Sequence, residues 1–154
     1  MKTSFEYWIN HKDSAFFACY WMLFSVVYSC LIWLAIKTRN SLIFILPGII
    51  PYFVIAFYRA MHNPFRTLEE DIKKYDYMLS ERFAQNVPEK YRDDTKKRSA
   101  YLFTFLCREP EGTLNPDVLL FKKRYARINS VAMISAFLWF VSVFVLTIYV
   151  HVNQ

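Results

Sequence analysis

The chain has 154 residues, 55% of them hydrophobic and 19% aromatic, with two glycines and a formal net charge of +6. The hydrophobic residues gather in 15–36, 42–58 and 131–150, which contain no Asp, Glu, Lys, Arg or His. Residues 59–130 hold 15 of the 19 basic and 11 of the 13 acidic residues. Such segregation excludes an evenly patterned soluble core and points to a membrane protein with one polar insert.

Residues 1–14 carry Phe5, Tyr7, Trp8 and Ile9, which suggests a short helix at headgroup level, where such aromatics collect. Asp13 or Ser14 is placed to cap the helix that follows. The apolar run is too long for a signal peptide and lacks a small-residue cleavage site, so it is expected to be retained. As a helix, 15–36 is about 33 Å long and spans a bilayer. Within it, Ser25 and Ser29 share a face and are expected to bond back to the preceding turn or across to a neighbour. Cys19 and Cys30, with Cys107, read as buried small apolar residues, since they form no CxxC pattern.

Residues 42–58 stand at the short limit of a span. Pro47, Gly48 and Pro51 break the backbone ladder at its middle, so the segment is either a kinked span or a re-entrant hairpin. The kinked span is favoured, because broken backbone facing lipid is costly. The choice decides the side of the N-terminus, on which the loop charges Lys2 and Lys12 against Lys37 and Arg39 do not discriminate.

The insert reads as helical. Asn63-Pro64 and Asn115-Pro116 are matching helix starts, and Thr67-x-x-Glu70 has the form of a capping box. Leu68, Ile72, Tyr75, Leu79 and Phe83 form one apolar stripe of a helix that ends at Asn86-Val87-Pro88. A second helix begins near Asp93-Asp94 and carries Tyr101, Phe103 and Phe105, rings that need cover from the first stripe, the membrane surface or a partner. A third carries Val118, Phe121, Tyr125 and Ile128 and runs on into 131–150. The fold class is therefore all-α: a polytopic membrane protein with two or three transmembrane segments and a small cytoplasmic helical cap. Lys122, Lys123, Arg124 and Arg127 form a collar expected to contact lipid headgroups. By the positive-inside rule it places 59–130 in the cytoplasm and the C-terminus in the periplasm of a bacterial inner membrane. Lipid accounts for the basic excess better than nucleic acid does, as no nucleic-acid motif is present.

His11, His62 and His151 are scattered without metal-ligand companions. The pairs Glu69/Glu70 and Asp93/Asp94 sit at helix starts, where they complement the dipole. No phosphate loop, nucleophile elbow or zinc-helix motif occurs. An enzyme, a metal site and a cofactor are not expected. The spans lack ionisable groups, which disfavours a pump or transporter. In the last span Ala132, Ser135, Ala136 and Trp139 share a small-residue face that suits close packing, against the chain's own segments or a partner.

Lys97-Arg98-Ser99-Ala100-Tyr101-Leu102-Phe103, then Asp117, Phe121-Lys122-Lys123, Arg127 and a final span make residues 96–150 resemble the universal stress protein B family of small bacterial membrane proteins. The resemblance implies an inner-membrane protein associated with stationary-phase stress, with no catalytic residues to carry over. The leading functional expectation is a non-catalytic protein that binds or regulates a larger membrane complex. The alternatives are an immunity or exclusion protein against a pore-forming toxin, phage or conjugative pore, and a homo-oligomeric channel.

Overall fold

The computed structural model describes residues 3–10 and 13–152, and all their side chains except those of 13–15 and 46. The expectations for Lys2, His11, Lys12, the Asp13 and Ser14 caps, and the last two residues fall outside this description. Eight α-helices follow in order: α1 Ser4–Asn10, α2 Asp13–Thr38, α3 Leu42–Gly48, α4 Ile50–Met61, α5 Leu68–Tyr75, α6 Tyr77–Asn86, α7 Thr95–Arg108 and α8 Pro116–Val152. No strand occurs among the described residues, and the protein is an all-α polytopic helical protein. It divides into two compact units: residues 3–10 with 60–127 (unit 1), and 13–59 with 128–152 (unit 2).

Unit 1 has its own core. Leu68, Ile72, Leu79 and Phe83 are buried, as are Leu102 and Leu106 of α7 and Val118, Phe121 and Tyr125 of α8. The stripe read from the sequence as one helix is broken at Asp76, whose φ of −149° and ψ of 84° are not helical. The reason is capping. Asp76 Oδ1 accepts from the Leu79 N–H at 3.0 Å, and its Oδ2 from the Asn115 N–H at 3.1 Å. One carboxylate thus starts α6 and holds the approach to α8. The starts of α7 and α8 follow the same chemistry. Asp94 Oδ1 accepts from Lys96 and Lys97, and Asn115 Oδ1 from Asp117.

The N-terminal helix departs from the expectation of a headgroup-level element. Phe5 and Trp8 are fully buried in unit 1. The Phe5 ring lies 4.6 Å from that of Phe121, and the Trp8 indole donates to the His62 carbonyl at 2.7 Å. The Arg124 guanidinium donates to the carbonyls of Trp8, at 2.9 Å, and Ile9, closing the end of α1 as a cation suits a helix C-terminus. The start of α1 is a capping box. Glu6 N–H donates to Thr3 Oγ1 at 3.2 Å and Thr3 N–H to Glu6 Oε2 at 3.3 Å. Thr67 makes no such cap; its hydroxyl donates to Asp71 Oδ2 at 2.8 Å. A carboxylate one turn along α5 outcompetes the backbone for the threonine.

Unit 2 is built from the apolar helices. Three helical stretches are long and apolar enough to cross a membrane: Phe16–Thr38, Leu42–Arg66 and Pro116–Val152. Their outward side chains are as apolar as their inward ones. Met22, Leu23, Val26, Trp33, Phe53, Phe57, Phe137, Phe140 and Phe144 are all exposed. Water would penalise such a surface and lipid does not. The same argument explains Cys19 and Cys30. Cys19, Cys30 and Cys107 are free and exposed rather than buried, and on α2 a small apolar side chain gains nothing by turning inward when the solvent is hydrocarbon.

Candidate functional site: the proline break and the groove beside it

The sequence concentrates backbone breakers at Pro47, Gly48 and Pro51, and here the structure concentrates its side-chain donors. Ile49 ends α3, and its N–H bonds to the Pro47 carbonyl. In an unbroken helix that N–H would serve Ile45. The Ile45 carbonyl accepts instead from the Trp139 indole at 3.1 Å. The Gly48 carbonyl accepts from the Tyr28 hydroxyl at 2.8 Å, and the Pro51 carbonyl from Tyr20 at 3.2 Å. Three side chains from two other helices thus satisfy carbonyls around the kink, as an apolar solvent requires.

These contacts also give the course of the segment. Tyr28 meets Gly48, Tyr20 meets Pro51, and Phe16 stacks on Tyr58 with ring centroids 4.1 Å apart. Residue numbers fall along α2 as they rise along α3 and α4. The segment therefore runs antiparallel along α2 and does not fold back on itself.

Gly48 is buried, and its surroundings are tight. A Cβ there would lie 3.2 Å from the Phe44 ring and 3.2 Å from Trp139 Cδ1. Close approach, rather than a left-handed backbone, is what this glycine supplies.

Of the small-residue face in the last span, Ala132 and Ser135 are buried, while Ala136 and Trp139 are half-buried. Ser135 and Trp139 bond to Tyr20 and Ile45 of the same chain, so this face is occupied within unit 2. The rings considered for a partner are likewise engaged, inside unit 1. Phe103 packs on Phe65, Phe121 and Tyr125, Phe105 on Phe83, and Tyr101 on Phe83 and Tyr91. The first stripe covers Tyr101 and Phe105 through Phe83, whereas Phe103 is covered by Phe65 and by Phe121 and Tyr125 of α8.

The collar residues make contacts within the chain. Lys122 donates to the Glu109 carbonyl at 2.9 Å, and Arg124 closes α1. Lys123 pairs with Glu111 at 2.7 Å, an exposed pair that water screens. It draws the Glu111 carboxyl below its ordinary range. Arg127 is exposed. The polar loop before α8 offers Lys122 and Lys123 their acceptors.

Beside the break lies a cavity of about 440 Å³, lined by Phe16, Cys19, Leu23 and Val27 of α2 and by Ile50 and Val54 of α4. Tyr20 and Tyr28 escaped the sequence reading. Their signal is the four-residue repeat Phe16, Tyr20, Phe24, Tyr28, of which the last three are buried. Ser25 and Ser29, singled out instead, are exposed, and Ser25 bonds back to the Trp21 carbonyl at 2.8 Å.

No family model matches the chain, and neither a curated protein nor a solved structure is similar to it.

Proposed function

We propose that the protein is a non-catalytic, three-crossing bacterial inner-membrane protein that receives a transmembrane helix of a larger membrane complex in the groove between α2 and α4. The observation that carries this reading is the groove itself, almost wholly apolar and about 440 Å³ in volume. It is walled by a kink whose carbonyls are already satisfied from within, so a docking helix meets shape and apolar surface without unpaired polar groups. The groove takes the place of the Ala132 face and the Tyr101 rings, which are used inside the chain.

Topology is part of the proposal. Residues 3–10 and 60–127 share one core, which supports the same side for the N-terminus and the insert, with two crossings between them. The basic excess of the insert makes that side cytoplasmic. The resemblance over 96–150 extends the proposal to a stress-linked role, for which accumulation of the protein in stationary phase is the check.

The test uses a photo-crosslinking amino acid at Leu23 or Val54 in the groove and at Phe137 on α8, in native membranes. Capture of one membrane protein from both groove positions and not from Phe137 supports the proposal. Adducts to lipid alone at all three positions reject it.

A further inference from the structure

We infer that unit 1 carries a phosphate-binding site between the turn that follows the second span, α5 and the first turns of α7. A cavity of about 320 Å³ opens there, lined by Arg66, Glu69, Glu70, Lys73, Thr95 and Ser99. At ~30 Å³ per water it has the room of about ten water molecules, ample for a phosphate and its substituent.

One buried polar residue points to an occupant. Ser99 is 2% exposed and lines the cavity, and no partner for its hydroxyl occurs among the described residues. A hydroxyl so enclosed is rarely left without a partner.

The charges choose the ligand. The Arg98 guanidinium donates to Glu69 Oε1 at 2.6 Å, which holds that carboxylate and takes it out of the contest. Thr67 also lines the cavity, but its hydroxyl is committed to Asp71. What remains in the lining is the Glu70 carboxylate, the cations Arg66 and Lys73, and the hydroxyl-bearing residues Thr95 and Ser99. These two lie one turn apart on one face of α7, at the positive end of its dipole. Glu70 is the one lining carboxylate with no cation within ion-pair distance among the described residues. Two cations and two hydroxyls form a donor-rich lining that suits an oxyanion with several acceptors, and a phosphate is the commonest. A metal cation would meet Arg66 and Lys73 and only one free carboxylate.

Arg66 is the last residue of the second membrane-crossing stretch. The phosphodiester of a lipid headgroup is therefore one source, and free phosphate the other.

The full-length protein in maltoside micelles, which contain no phosphate, is titrated separately with inorganic phosphate and with dihexanoylphosphatidylglycerol. The variants are Arg66→Gln/Lys73→Gln, Ser99→Ala and, as control, Arg127→Gln. Wild-type protein is expected to bind at least one probe saturably. Ser99→Ala should weaken that binding about tenfold and the double variant about a hundredfold, at roughly tenfold per lost charge-assisted hydrogen bond. The control should be unchanged. Saturation by inorganic phosphate identifies the free ion, and saturation by the lipid alone identifies a headgroup; either supports the site. No saturable binding, variants that bind as the wild type does, or an equal loss in Arg127→Gln would overturn it. Arg66 and Lys73 are exposed, so their substitution leaves the fold intact even if Ser99→Ala does not.

Discussion

The hydroxyls of Tyr20 and Ser135 lie 2.6 Å apart, joining α2 to α8 across 115 residues of sequence. Tyr20 also reaches the Pro51 carbonyl at 3.2 Å, and Ser135 the Val131 carbonyl at 2.8 Å. Three contacts share two hydroxyl protons. The short contact needs one of them, so the chain of bonds runs either from Ser135 through Tyr20 to Pro51 or from Tyr20 through Ser135 to Val131. In both directions one carbonyl is left without its side-chain donor.

That proton count predicts near-additivity. After Tyr20→Phe, Ser135 still bonds to Val131; after Ser135→Ala, Tyr20 still bonds to Pro51; the double variant keeps neither bond. Each single change should cost about 1 kcal/mol, the usual scale of an interhelical hydrogen bond in a membrane. The double variant should cost about the sum of the two. Unfolding in mixed micelles, arranged as a double-mutant cycle, measures it. A double variant no worse than the larger single would contradict the count.

Gly48 should tolerate almost nothing. A Cβ at 3.2 Å from both Phe44 and Trp139 forces the rings apart by a few tenths of an ångström. Gly48→Ala is expected to cost about 1 kcal/mol and Gly48→Leu about 3. Trp139→Phe leaves the Ile45 carbonyl without its donor and should cost about 1–3 kcal/mol. Thermal unfolding in detergent checks all three, and a Leu variant as stable as the wild type would refute the packing described.

Arg124→Ala should release α1 from unit 1. The guanidinium bonds two carbonyls at the helix end, and hydrogen bonds from a charged donor are worth about 1.5–3 kcal/mol each. The expected readout is rapid proteolytic trimming before Asn10, with 60–127 still protected. Arg124→Lys should protect only partly, since an ammonium lacks the planar fork that reaches two acceptors.

Asp71 gives unit 1 a pH dependence. It is buried, and burial pushes its carboxyl above the ordinary range; the Thr67 hydroxyl and the Lys74 cation oppose this, while the Glu6 charge adds to it. A folded-state value above the unfolded one favours the protonated form in the fold. The contribution is therefore full at acid pH and is lost as pH rises through the folded value. Asp71→Asn keeps an acceptor for Thr67 and should stabilise unit 1 at neutral pH, with no gain at low pH. Melting curves from pH 3 to pH 8 test the crossover. A variant less stable than the wild type at pH 8 would contradict it.

Local chemistry carried much of the architecture. The uncharged runs marked two full spans and a third segment read as kinked or re-entrant, because a charge in hydrocarbon is expensive wherever it points. Asn115-Pro116 and Asp94 marked true helix starts, because a cap is an interaction within four residues. The stripe from Leu68 to Phe83 was legible for the same reason that its break was not. Periodicity records which face is buried, but Asp76 breaks the helix partly to hold Asn115, 39 residues away.

Only tertiary structure decided where Phe5 and Trp8 go, which face of α2 turns inward and what satisfies the kink. A helix in lipid is apolar all round, so α2 carries no polar face from which its inner side could be read. Its inward side is set by the donors Tyr20 and Tyr28, and their acceptors are chosen by a neighbouring helix rather than by their own sequence. The basic collar shows the converse. Composition established that Lys122, Lys123 and Arg124 are cations at a helix end, but only folding brought the Glu109 carbonyl to Lys122 and the carbonyls of Trp8 and Ile9 to Arg124.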